Sequence, residues 1–154
     1  MNRLAQQYAS HFMLLGRMML GVIFLFSGMH KIANPEATQQ YMASMGMSAT
    51  EVFLIGAILV EIGAGLSLLL GFWTQTGTAI LFLFLIPTTL IFHTDFSSLT
   101  QVLMFLKNIA MMGGLLYIYV CGPGRFSVDI YRGATSERVK EQMEKLSLIS
   151  HKSR

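Results

Sequence analysis

Four apolar runs, each long enough to cross a bilayer, constrain this chain more than anything else in it. They cover about residues 12–31, 52–72, 76–92 and 102–120, and a spanning helix needs roughly 20 such residues. The runs are continuous rather than alternating, which excludes a transmembrane barrel. Soluble domains carry about 25% charged residues; this chain carries 12%, against 53% hydrophobic. The expected fold is an all-α polytopic membrane protein, an antiparallel bundle of four transmembrane helices joined by short links. Residues 1–132 form that domain and residues 133–154 a tail. Pro87 lies inside the third span, where neighbouring helices can satisfy the carbonyl it frees.

Orientation follows from the basic residues. Arg3, Arg125, Arg132, Arg138, Lys140, Lys145, Lys152 and Arg154 sit toward the two ends, while the two links on the opposite side hold only Lys31, at a helix edge. Basic residues stay cytoplasmic, so both termini are expected there. Asn34-Pro35-Glu36 reads as a helix start with an Asn cap. Ala37, Tyr41, Met42 and Met45 then share one face up to Gly46, giving a short periplasmic surface helix. Ser136 can cap a second amphipathic helix in the tail, with Val139, Met143, Leu146 and Ile149 as its stripe and Glu141 spaced to pair with Lys145. Arg17 interrupts the first apolar run, so the start does not read as a cleavable signal. Aromatic residues lie inside apolar runs and not among basic ones, which argues against nucleic acid as a partner. Cys121 is the one cysteine; the chain has no C-x-x-C and no dithiol chemistry of its own.

Ionisable groups inside the spans need an account, because each costs on the order of 2.5–3.5 kcal/mol at a helix centre. At about 1.5 Å per residue, Arg17 lies roughly 7 Å, Glu61 roughly 15 Å and Lys107 roughly 20 Å from the cytoplasmic edge. An acid between two bases in depth reads as a shared polar core of Arg17, Glu61 and Lys107, with Asn108 beside it. That core either fixes bundle register or leaves a net positive pocket for an anionic or carbonyl-bearing ligand such as a non-covalently bound quinone. Near the outer edge, His30, Lys31 and His93 form a second group. Two histidines at one depth are a weak signal for haem, and no metal motif accompanies them. Gly21 and Gly28 on the Arg17 face, with Gly56, Gly63, Gly65, Gly113 and Gly114, suit close helix approach.

Four ordered stretches resemble the DoxX family of small bacterial membrane proteins, from about Leu14 to Arg132. They are Arg17 with Gly21, Phe24, Gly28 and Lys31; Asn34-Pro35 to Gly46; Glu61-Ile62-Gly63-Ala64-Gly65 leading to Leu70-Gly71-Phe72 and Thr74; and Lys107-Asn108 followed by Gly122-Pro123-Gly124-Arg125-Phe126-Ser127-Val128-Asp129. In the last, the glycines and proline stop a helix, Arg125 suits lipid phosphates, and Ser127 and Asp129 can bond the local backbone. The resemblance implies a four-helix bundle in the bacterial plasma (inner) membrane. The family takes its name from a subunit of thiosulfate:quinone oxidoreductase, which raises a quinone-linked oxidoreductase subunit or accessory protein as the leading reading. A non-enzymatic assembly protein and a small-solute or proton carrier using Glu61 are the other two. Expected partners are the lipid bilayer and another membrane protein or a second copy.

Overall fold

A computed structural model describes residues 3–133 of the chain, with side chains from Tyr8 onward. The tail helix expected after Ser136 lies outside the described residues. Five helices follow in order: α1 (Arg3–Ala33), α2 (Pro35–Ser44), α3 (Thr50–Leu70), α4 (Thr74–Phe92) and α5 (Leu99–Cys121). All but α2 are long and apolar enough to cross a membrane. The spans match the four apolar runs, except that α1 starts well before residue 12.

Burial is inside out relative to a soluble protein. Arg17, Glu61, Thr74, Thr78, Thr89 and Asn108 are buried, while Phe12, Phe26, Leu59, Leu83, Leu103 and Val120 stand exposed. A soluble monomer does not expose apolar surface on this scale; a bilayer covers it. The core between the helices joins Phe24, Ala64, Leu68, Leu81, Leu85, Met111 and Leu115.

Small residues set the closest approaches. A Cβ on Gly21 would stand 3.1 Å from the Gly65 carbonyl oxygen, and one on Gly28 would stand 2.8 Å from Ile62 Cδ1. These two glycines hold α1 against α3. Gly114 approaches Leu20 of α1 in the same way, whereas Gly56, Gly63 and Gly113 face open space. On α4, the Thr78 and Thr89 hydroxyls donate back to the Thr74 and Leu85 carbonyls at 2.5 and 2.6 Å. This internal bonding lets threonine sit in an apolar core without an unmet donor.

Helix α2 connects α1 to α3 at one end of the bundle. Proline occupies its first turn as expected, but Asn34 makes no side-chain cap. Its Nδ2 donates instead to the His30 carbonyl at 3.1 Å, satisfying the end of α1 rather than the start of α2. Met42 is the residue that α2 buries, and Tyr41 stacks on Phe92 of α4.

Candidate functional site

Helix α1 carries one buried cation, Arg17, and one half-buried cation, Lys31, and they lie at opposite ends of the bundle. Arg17, Gly21, Phe24, Gly28 and Lys31 form one stripe, as the spacing predicts. Side chains on a helix lean toward its N-terminus. Arg17 therefore leans away from the bundle centre, and Lys31 leans into it. Glu61 sits on antiparallel α3 and leans toward Lys31.

The contacts follow those directions. Lys31 Nζ donates to both Glu61 carboxylate oxygens at 2.9 Å and to Ser27 Oγ at 2.9 Å. Ser27 Oγ donates to Glu61 Oε1 at 3.1 Å. The Glu61 side chain is 6% exposed and that of Lys31 20%. A shared core of Arg17, Glu61 and Lys107 is therefore not formed. Glu61 lies level with Gly28 of α1, about 16 Å along the axis from residue 17, beyond the reach of an arginine. Lys107 is exposed on α5, its ammonium resting 3.3 Å from Met104 Sδ. Asn108 is buried beside it and donates to Thr89 Oγ1 at 3.0 Å, joining α5 to α4. Of the four residues expected to share a core, no two are joined to each other by a side-chain hydrogen bond or ion pair.

Arg17 builds the other end. It is 1% exposed, and Nη1 and Nη2 donate to the carbonyls of Pro123 and Phe126, each at 2.7 Å. Those carbonyls belong to the turn that follows α5. Gly122 and Gly124 carry it through φ values of 78° and 77°, a region open to glycine. Ser127 Oγ closes the turn on the Gly124 carbonyl at 2.8 Å. Gly71, with φ 68°, lets the α3–α4 link pass over the guanidinium; a Cβ there would collide with Arg17 and with Ser127.

Asp129 was expected to bond its local backbone, but it reaches α4 instead. Its carboxylate accepts from Trp73 N–H at 2.8 Å, Thr74 N–H at 2.9 Å and the Thr74 hydroxyl at 2.8 Å. Its own N–H donates to the Gly71 carbonyl at 2.9 Å. Asp129 thus caps α4 from a distant part of the chain, supplying the cap that Trp73 cannot. Burial works against its ionisation, but the bonds from Thr74 and Trp73 and the charge of Arg132 prevail, and its pKa is lowered.

Arg17 is left with one buried nitrogen, Nε, that has no hydrogen-bond partner. Asp129 acts on the guanidinium only through space, since its oxygens are committed to α4. Beside Arg17 lies a cavity of about 150 Å³ between α1 and α5. Phe12, Leu20, Tyr117 and Ile118 wall it, Gly16 and Gly114 leave it room, and Cys121 stands at its rim. The arrangement sets a buried guanidinium, with one unpartnered nitrogen, at the wall of an apolar, ring-sized space.

The outer-edge histidines share no hydrogen bond or ring contact among the described residues. His30 is exposed, and His93 Nδ1 lies 2.8 Å from Gln101 Oε1. Among the described residues no three of His, Cys, Asp and Glu gather as a metal site would require. Sequence reasoning missed Ser27, Thr89 and the roles of Gly71 and Thr74. Ser27 had a signal, lying one turn before Lys31 on the same stripe.

Comparison with known proteins agrees with this architecture. The DoxX family model matches residues 12–94. Inner membrane protein YqjF of Escherichia coli (strain K12) is 37% identical over 116 residues, covering 75% of this chain and 88% of that protein. Inner membrane protein YphA of the same organism is 30% identical over 123 residues, covering 76% and 87%. No solved structure matches the chain. With more than half its length under the family model, and with relatives matched along most of theirs, the chain belongs to the DoxX family.

Proposed function

We propose that this protein is a subunit or accessory protein of a quinone-linked oxidoreductase system in the bacterial inner membrane, and that the Arg17 cavity receives the quinone head group. The observation that carries this reading is that Arg17, a buried guanidinium whose Nε has no hydrogen-bond partner, lines the cavity. A buried N–H without a partner costs about 1–3 kcal/mol, and a carbonyl oxygen would remove that cost. A dry cavity of about 150 Å³ suits one benzene-sized ring, and this one has that volume. When bound, a quinone supplies a reversible two-electron, two-proton couple.

The protein's own part is to bind and orient. Arg17 donates to the carbonyl and favours negative charge on it. The Tyr117 hydroxyl and Cys121 thiol lie along the same wall, and the apolar residues around them exclude water. Cys121 has no second thiol to pair with, so electrons pass to the ligand from a partner protein. The relatives named as inner membrane proteins support the location. The basic residues at the Arg17 end support a cytoplasmic position for that end and for both termini.

Organic extraction of protein purified in mild detergent, followed by chromatography for quinones, tests the reading. A Cβ on Gly16 meets open space, so Gly16→Leu fills the cavity without disturbing the fold. The parent protein should carry quinone and the variant should lose at least four-fifths of it. Equal quinone in both, with equal elution on gel filtration, would remove the cavity as the site. Absence of quinone with a co-purifying membrane protein would favour the assembly role instead.

A further inference from the structure

We propose a second site, for one anionic phospholipid, on the α3–α4 face. It is independent of the quinone reading and uses none of its residues. An open groove of about 390 Å³ runs between these helices. Gly63, Ser67 and Gly77 form its floor, Leu59, Leu66 and Ile80 its sides, and Phe72 and Trp73 its end at the α3–α4 link. From residue 59 to residue 70 the groove follows α3 for about 16 Å. That is half of a roughly 30 Å hydrocarbon core, the depth of a single leaflet. An acyl chain of one lipid matches that length, whereas a second transmembrane helix would need a face running the full depth.

Charge selects the head group. Phe72 and Trp73 stack with ring centroids 5.2 Å apart, and the Arg132 guanidinium lies 5.1 Å from the Phe72 centroid. Arg132 is exposed and stands where the groove opens at the bundle end. Asp129 is the acid near it, and it already accepts three hydrogen bonds from α4 and its link. The phosphate of a lipid whose chain lies in the groove therefore meets a guanidinium with donors to give. A basic residue at the membrane surface favours an anionic over a zwitterionic lipid by about fivefold.

Native mass spectrometry decides it, on protein equilibrated with equal amounts of phosphatidylglycerol and phosphatidylcholine. The parent should retain one tightly held lipid, with phosphatidylglycerol preferred about fivefold. Gly63→Leu should abolish that retention, because a side chain at Gly63 enters open space and fills the groove. Thr76→Leu, on the facing helix, should do the same and covers the case in which the first variant fails to fold. Arg132→Gln should keep a bound lipid and lose the preference. Retention without preference in the parent, or unchanged retention in the groove-filling variants, would overturn the proposal. So would a dimer in the parent that the groove-filling variants dissociate, since a second copy would then be the occupant.

Discussion

Two cations on one stripe of α1 meet opposite fates. Lys31 is answered in full: a carboxylate and a hydroxyl take its donors, and it keeps a path to water at the helix end. Arg17 is buried completely, answered by two neutral carbonyls, and left with an unpartnered Nε at the wall of a cavity. The first arrangement closes a register between α1 and α3. The second anchors the chain after α5 while leaving binding capacity unspent. Burial of a charge thus does not by itself mark a site; the proposed site rests instead on an unpartnered nitrogen at the wall of a cavity.

Breaking the Arg17 end should cost most. Arg17→Gln cannot serve both carbonyls with a charge, and two charge-assisted bonds at about 1.5–3 kcal/mol each set a loss of about 3–6 kcal/mol. Unfolding in mild detergent should show it, together with faster proteolysis after α5. At the other end, Glu61→Gln should cost about 1–3 kcal/mol, because Lys31 can swing toward the surface. The double variant Lys31→Met/Glu61→Gln should recover part of that loss, as replacing a whole ion pair costs less than removing half of it.

Asp129 sharpens the comparison through pH. Its pKa is lowered in the fold, so its contribution is fully present above its ordinary value, near 3.8, and is lost as the pH falls through the lowered one. Asp129→Asn should cost about 1 kcal/mol, the usual worth of a helix cap, and should flatten the acid limb of a stability-pH curve. The smallest effect is expected at Lys107. Its exposed side chain touches neither end site, so Lys107→Met should change stability by no more than about 0.5 kcal/mol and leave quinone content unaltered.

The spans were legible because hydrophobic length is a strong signal that tertiary packing does not override. Close approach at Gly21 and Gly28 was legible for the same reason, small residues on a polar stripe. The pairing of Glu61 was not. Depth along the helix ranked Arg17 and Lys107 as its partners, but side-chain lean reverses that order, and Lys31 reaches Glu61 from the edge. Lys107 failed on face rather than depth, since periodicity on α5 alone does not say which stripe meets the bundle. Asp129 could be placed near a turn from its neighbours, but its grip on Thr74 joins segments far apart in the chain. No local pattern encodes that contact.

The central claim is that Arg17 holds a free N–H for a ligand while the Lys31–Glu61 end is closed. Titration of short-chain quinone into ¹⁵N-arginine-labelled protein, read at the Arg17 side-chain Nε–H and assigned through Arg17→Lys, addresses it directly. The expected result is a saturable shift of that resonance, absent in Gly16→Leu. A resonance that stays fixed through saturating quinone, or that moves equally in the filled variant, would contradict the account.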